Sequence, residues 1–262
     1  MRRFRRLPPL VVALSLVTAG CGEAETTETS ATEPAPTTNE VPTATDEEAA
    51  PTETDGSAAT RPADVLEQFV QAARGEDFEG MWSLLSQGTQ QRLGPTVVRF
   101  ESGAGGDLRR QLARFDPARS DVFLDESITA TFAVAGFGGR VGTGRGSFAA
   151  YAAALRREPD GWRLELDGPI GVAPVAPDPG STVSQRVRVA AEVRSDERVV
   201  EAGLWLDGRS VPGRLALTGA GAASMFSQDA PPLVAGPHAV VAFASTRGDA
   251  SAIAWVFARG DA

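Results

Sequence analysis

The chain lacks several residue types that common catalytic and metal sites require. It contains no lysine, one cysteine, one histidine and one tyrosine in 262 residues. The absence of lysine excludes a Walker phosphate loop, a Ser-x-x-Lys nucleophile and Schiff-base chemistry. One cysteine cannot form an internal disulfide or a thiolate cluster, and His238 alone cannot form a two-histidine metal site. We therefore predict no cofactor, no bound metal and a protein that is not an enzyme.

The first 20 residues have the layout of a secretory signal peptide. Four arginines precede an apolar stretch from Leu10 to Ala19, which is shorter than the roughly 20 apolar residues of a transmembrane helix. Leu16 to Cys21 then resembles the lipobox of bacterial lipoproteins, although Thr18 stands where that family prefers an aliphatic residue. The resemblance implies cleavage before Cys21 and lipidation of its thiol. The alternative is ordinary signal-peptidase cleavage after Ala19, which would leave Cys21 as an unmodified thiol.

Residues 21–62 are predicted to form a disordered tether. They consist mainly of Thr, Glu, Pro, Ala and Asp, and Val41 is their only large aliphatic residue. Such a segment cannot bury enough apolar surface to offset its chain entropy. It holds ten acidic residues against Arg61 in a chain of net charge −9, which argues against nucleic acid as a partner. We expect a lipid-anchored protein facing the extracytoplasmic side of the cell membrane, with the tether serving as a stalk or as a solubilising spacer.

Residues 63–170 are predicted to form an α+β domain. Arg61 to Asp64 predicts a helix start, with Pro62 at a position that needs no amide hydrogen. Apolar residues then recur at helical spacing from Val65 to Ala73, and Gly75 ends the run. A second helix is predicted around Trp82 and a weaker one from Leu108 through Phe115 to Pro117. From Ile128 to Val134 the apolar residues alternate instead, which predicts a strand. Glu158 to Gly161 predicts a hairpin turn that feeds a last strand starting at Trp162.

This order of helices followed by antiparallel strands resembles the NTF2-like family of cone-shaped α+β domains. The resemblance is carried by Gly75-Glu76-Asp77, by Trp82-Ser83-Leu84-Leu85-Ser86 and by the final Gly-Trp-Arg-Leu hairpin. It implies a curved sheet that wraps a helix and leaves a pocket. Pockets of this fold serve isomerases, dehydratases and pure binding modules, so the fold does not decide the function.

The residues expected around such a pocket are aromatic and acidic. They are Phe69, Trp82, Phe132, Tyr151, Asp77 and Asp125. In a ketosteroid-isomerase-like site, a carboxylate would move a proton and the phenol of Tyr151 would stabilise an oxyanion. In the alternative structural interpretation, Asp77 caps a helix, Asp125 and Glu126 occupy a turn, and Tyr151 packs at a sheet edge.

Residues 171–262 are predicted to form an all-β domain. Short alternating strands are separated by Gly, Pro and Asp turns, one of them predicted at Asp207-Gly208, which is typical of a β-sandwich. Leu204 to Gly208, Gly236 to Val240 and Trp255 to Phe257 resemble bacterial immunoglobulin-like domains, without the antibody disulfide. His238 follows a Gly-Pro turn at a strand start and is expected to be a hydrogen-bonded structural residue.

Three functions are compatible with these features, and one of them is a structural wall-spacing protein in which only the tether and the stacking of the domains matter. The first is a non-catalytic binding or scaffold module that is anchored through Cys21 and recognises another envelope protein or a cell-wall component. The alternative is a carrier of a small apolar ligand, or an isomerase- or dehydratase-like enzyme, that uses the NTF2-like pocket. Convergence of Asp77 or Asp125 with Tyr151 in one cavity would favour the alternative, and a filled cone would exclude it.

Overall fold

The computed structural model describes residues 61–142, 147–184, 186–219, 222–227 and 232–260. The predicted signal peptide, Cys21 and all of the predicted tether except Arg61 and Pro62 lie outside these residues. Within them, no helix has the length and apolar content needed to cross a bilayer.

Short helices form the first part of the described chain. They are α1 (Pro62–Arg74), α2 (Phe78–Ser83), α3 (Gln87–Leu93), α4 (Val97–Phe100), a π-helical turn (Glu101–Gly105) and α5 (Gly106–Leu112). The predicted start of α1 is confirmed, because Pro62 fills a position that needs no amide hydrogen. The carboxylate of Asp64 accepts the backbone N–H of Arg61 at 3.1 Å. The side chain of Arg61 also donates to it, which lowers the pKa of Asp64.

An antiparallel sheet of four strands, here called the first sheet, follows the helices. Its strands are β1 (Phe115–Ser127), β2 (Phe132–Val141), β3 (Phe148–Glu158) and β4 (Gly161–Glu165), paired in the order β1-β2-β3-β4. The predicted hairpin turn between β3 and β4 is confirmed. One face of this sheet packs on the helices, where Phe69 and Leu66 of α1 meet Phe137 and Leu155 in a common buried cluster.

Two predicted boundaries in this region are wrong. Phe115 begins β1 instead of continuing the third helix, and its ring packs edge-on against Phe137 with 5.2 Å between ring centroids. The alternation from Ile128 to Val134 crosses a chain reversal, because β1 ends at Ser127 and β2 begins at Phe132. The four intervening residues include no glycine or proline that would have marked the turn.

The rest of the chain forms two further sheets. Their strands are β5 (Gly171–Ala176), β6 (Thr182–Val183), β7 (Ala190–Arg194), β8 (Glu201–Leu206), β9 (Arg209–Ser210), β10 (Gly213–Gly219), β11 (Ala222–Ser227), β12 (Gly236–Ser245) and β13 (Ala250–Arg259). The second sheet has the order β6-β13-β12-β8-β9, and the third has the order β10-β11-β7-β5. Buried residues of both sheets, including Val193, Leu204, Met225 and Phe257, form one core between them. The described chain is thus α+β, with a helical start and a β-rich remainder.

The predicted turn at Asp207-Gly208 joins β8 to β9 and is confirmed. Both residues have positive φ, at 51° and 75°. This pair of positive values is what a two-residue hairpin turn between right-twisted strands requires, and Asp-Gly supplies it at low cost.

The second sheet is buried on both of its faces. Its face away from the third sheet packs on the first sheet, where Trp205, Val241 and Phe243 meet Phe132 and Val134 in a separate apolar cluster. The order of layers is therefore helices, first sheet, second sheet and third sheet. The parts predicted as residues 63–170 and 171–262 share this buried interface, and all described residues fall in one compact unit.

Candidate functional site

The six residues predicted around a pocket lie in three different environments. Phe69 and Trp82 belong to the cluster between the helices and the first sheet. Phe69 is completely buried, and the indole of Trp82 donates from Nε1 to the carbonyl oxygen of Gly94 at 3.0 Å. Tyr151 packs against the same cluster from β3 and is half-buried. These three side chains contribute to the packed core below the sheet.

Phe132 does not face this cluster. It lies in the interface between the first and second sheets, where it is 3% exposed and the guanidinium of Arg156 stacks 5.0 Å from its ring centroid. Side chains alternate across a strand, so Phe132 and Val134 face the second sheet while Ala133 and Ala135 face the helices. The prediction that Phe132 lines a pocket with Phe69 is wrong for this reason.

Asp77 caps a helix, as the structural interpretation predicts. Its Oδ1 accepts the backbone N–H of Gly80 at 2.8 Å at the start of α2. The residue lies on the surface, in a groove of about 670 Å³ that runs along the outer side of α1 and α2. The groove is lined by polar side chains such as Glu67 and Gln71 and by the apolar side chains of Ala72 and Leu84. It is separate from the aromatic core behind α1.

Asp125 and Glu126 lie within β1, so their predicted placement in a turn before a strand is wrong. Oδ1 of Asp125 accepts the backbone N–H of Ala63 at 3.2 Å, which ties the start of α1 to the first sheet. Asp125 lines a second surface groove of about 300 Å³ that does not include Asp77. Oε2 of Glu126 accepts the indole N–H of Trp205 at 2.5 Å across the interface with the second sheet. Both carboxylates therefore have structural partners.

Tyr151 is separated from both predicted acids. It lies on β3, which pairs with β2 on one side and β4 on the other, so its predicted place at a sheet edge is wrong. Asp125 lies two strands away on β1, about 10 Å across the sheet at the usual strand spacing. A proton transfer that uses both groups would need them in contact with one substrate atom. The structure does not bring these groups together.

Because Tyr151 is the only tyrosine, the phenolate absorbance measured in an alkaline titration comes from this residue alone. Burial raises the pKa of its phenol above the ordinary value of about 10. Above about pH 10 the unfolded chain loses this proton while the folded chain keeps it, so the contribution to stability is complete below that pH and falls as pH rises. We expect phenolate absorbance to appear at a higher pH in the folded chain than in the urea-unfolded control. A native chain that titrates like the urea-unfolded control would contradict this.

A buried carboxylate that the sequence did not identify holds the layers together. Glu165 on β4 is 3% exposed and lies between two arginines. Its Oε1 accepts from Arg92 of α3 at 2.6 Å, and its Oε2 accepts from Nε of Arg156 on β3 at 2.7 Å. Arg156 also donates to the carbonyl oxygen of Gly248, in the turn between β12 and β13. One carboxylate thus links a helix, the first sheet and the second sheet.

The turn at Asp207-Gly208 also contacts the first sheet closely. A Cβ atom at Gly208 would overlap the carbonyl oxygen of Phe123 on β1, so the glycine is required by its neighbour as well as by its positive φ. On the same turn, Oδ1 of Asp207 accepts the backbone N–H of Ala239 at 2.9 Å. These contacts fix the β8–β9 hairpin against both neighbouring elements.

His238 is buried and hydrogen-bonded at both ring nitrogens, as expected of a structural residue. Nδ1 lies 2.7 Å from Oδ2 of Asp207, and Nε2 lies 2.8 Å from the carbonyl oxygen of Val234. Its ring also packs on Phe257. Among the described residues, no three His, Cys, Asp or Glu side chains converge as metal ligands.

Comparison with known proteins identifies no relative on which a function can be based. No protein-family model, no curated protein and no solved structure matches the chain.

Proposed function

We propose that this chain is a lipid-anchored cell-envelope protein whose folded head is a non-catalytic binding or scaffold module for another envelope component. The anchor is the acylated Cys21, which follows an export signal and precedes the acidic tether. In this proposal the helices and the first sheet are an NTF2-like unit, and the second and third sheets are an immunoglobulin-like sandwich.

The main support for a non-catalytic head is that both candidate catalytic acids, Asp77 and Asp125, are engaged in structural hydrogen bonds. Asp77 caps α2 and Asp125 binds the start of α1, so each carboxylate already accepts a backbone N–H at a helix terminus. They line two neighbouring surface grooves that share Asp64 and Glu67, and neither groove includes Tyr151. An enzyme of the ketosteroid-isomerase type needs its base and its oxyanion donor in one cavity.

The joined layers support a scaffold role. The apolar cluster around Phe132 and Phe243, the bridge from Glu126 to Trp205 and the links through Arg156 connect the first and second sheets. A head with this much buried apolar and polar contact moves as one body, because inter-domain freedom requires a small or polar interface. Any surface on the third sheet therefore keeps a constant orientation relative to α1, where the chain from the membrane enters.

Native mass spectrometry of the full chain purified from membranes distinguishes binding from small-molecule carriage. We expect the mass of the acylated chain with no further stoichiometric small molecule. A co-purifying apolar compound bound one to one would favour the carrier function instead.

In the envelope, cross-linking of the full chain to its macromolecular partner should be unchanged by Asp77→Asn, Asp125→Asn and Tyr151→Phe together. Loss of the cross-link in this triple variant, with the thermal unfolding midpoint unchanged, would contradict a partner site elsewhere on the head.

A further inference from the structure

The edge strand of the third sheet exposes an unusual apolar surface. β10 ends this sheet, and among the described strands only β11 pairs with it. Leu215 and Leu217 on β10 are 41% and 67% exposed. They lie directly opposite Met225 and Ala223 of β11, which are buried in the core of the sandwich. Residues paired in this way lie on the same face of the sheet. The two leucines therefore lie on the face that forms the core of the sandwich, but they remain exposed to solvent.

The lack of cover follows from the shape of the second sheet. That sheet ends in β9, a strand of only two residues, Arg209 and Ser210. A strand of two residues can offer β10 little cover across the sandwich, which agrees with the exposure of Leu215 and Leu217. Proteins usually protect such edges with charges or proline inside the strand. β10 has a single charged residue, Arg214, near its beginning, and no proline.

The sequence of β10 reads almost the same in both directions. Around Ala216 the order is Gly-Arg-Leu-Ala-Leu-Thr-Gly, from Gly213 to Gly219. We propose that β10 pairs antiparallel with β10 of a second copy of this chain, about a two-fold axis at Ala216. In that register Leu215 lies opposite the partner's Leu217, and Leu217 lies opposite the partner's Leu215. Four leucines then cover one another on the face that each single copy leaves exposed.

Charge is compatible with this register. Arg214 lies opposite the partner's Thr218, so no like charges oppose each other. The two arginines are offset by four residues along the strands, about 14 Å at 3.4 Å per residue. That distance exceeds the screening length of about 8 Å at physiological salt. A parallel pairing in register would instead place Arg214 directly beside the partner's Arg214, which is unfavourable.

The expected strength follows from the size of the contact. β10 has seven residues, whereas a stable interface of standard size uses roughly 20–30 residues on each side. The pairing is therefore weak for chains that diffuse freely. It becomes stronger where the chains are confined to one membrane, which raises their effective concentration; this last step rests on the proposed lipid anchor. The strand pairing itself does not depend on the anchor.

A single-thiol variant tests the pairing without the anchor. In a full chain that carries Cys21→Ala, Ala216→Cys supplies the only thiol. Residues that face each other across an antiparallel pair have Cα atoms about 4.5–5.5 Å apart, which a disulfide can span. The matched control is Ala173→Cys, an exposed position on β5 at the opposite edge of the same sheet. At about 100 μM protein under mild oxidation, we expect about tenfold more disulfide-linked dimer at position 216 than at 173.

Two further substitutions test the role of the leucines. Leu217→Arg, or the milder Leu217→Thr, should remove the excess dimer of Ala216→Cys. Val98→Arg should leave the excess unchanged, because Val98 is 73% exposed on α4, remote from β10 in the layer order. The circular dichroism spectrum of each variant serves as the control that it is folded. Equal cross-linking at positions 216 and 173 would overturn the proposal, and so would an excess that persists in both folded Leu217 variants. Neither result bears on acylation of Cys21, which is absent from these chains.

Discussion

Cys21→Ala should move the protein from the membrane to the soluble fraction while its head stays folded. Each buried methylene of an acyl chain contributes about 0.8 kcal/mol of membrane affinity, so two or three chains on one residue give durable anchoring. Removal of the thiol removes every chain at once. The described residues contain no membrane-spanning helix that would replace them. Fractionation of cells that express the full-length variant, followed by immunoblotting, measures this effect.

The matched control is Ser30→Ala, a change of similar size inside the predicted tether. This variant should remain in the membrane fraction, since it leaves the lipobox-like segment intact. The circular dichroism spectrum and melting temperature of purified Cys21→Ala should match those of the unsubstituted chain, because Cys21 belongs to a segment predicted from its composition to be disordered. A Cys21→Ala protein that partitions into detergent like the Ser30→Ala protein would contradict lipid anchoring at this residue.

Glu165→Gln should produce the largest loss of stability of any single change considered for the head. The substitution keeps the shape of the side chain but leaves Arg92 and Arg156 without their shared counter-ion. Breaking a buried ion pair from one side typically costs 3–5 kcal/mol. The two arginine side chains are 31% and 27% exposed, so hydration recovers part of the loss and we expect about 3 kcal/mol. Urea unfolding of the full chain, followed by tryptophan fluorescence, gives the free energy of unfolding.

Glu192→Gln provides the matched control for this measurement. Glu192 pairs with Arg194 on β7 at 3.1 Å, but both side chains are accessible to water. Exposed ion pairs contribute about 0–1 kcal/mol, so this variant should unfold close to the wild-type midpoint. If Glu165→Gln shifts the unfolding free energy no more than Glu192→Gln does, the buried carboxylate is not the link between layers that the geometry indicates.

Local patterns predicted most of the secondary structure. The helical spacing of α1 and its Pro62 start were correct, as were the turns at Glu158–Gly161 and Asp207–Gly208. These features depend on the conformational preferences of residues that are close in sequence. The reversal between β1 and β2 was missed because its four residues have no strong turn preference.

The sequence could not predict what covers each face of a sheet. Alternation separates Leu204 and Leu206 from Trp205, but it does not indicate that the face of Trp205 packs on the first sheet. The burial of Glu165 was missed for the same reason. It alternates with Trp162 and Leu164 like a solvent-facing residue, but it is buried, and its carboxylate contacts Arg92 of α3 and Arg156 of β3. Contacts between residues distant in sequence depend on the order of layers, which no local period encodes.

The partners of the candidate acids were also predictable only where they are close in sequence. The sequence identified Asp77 as a possible cap, because an acid before a short helix is a common signal. It gave no sign that Asp125 would bind the start of α1 or that Glu126 would bind Trp205, since both partners are more than 60 residues away. The distance between Asp125 and Tyr151 likewise follows from strand order. Strand order separates the residues that a catalytic function would require together.

Intact mass spectrometry of the mature chain extracted from membranes tests directly whether Cys21 carries the membrane anchor. We expect the mature chain to begin at Cys21 and its mass to exceed the polypeptide mass by that of a lipid group on this residue. A chain that begins at Gly20 and carries Cys21 as a free thiol would contradict it.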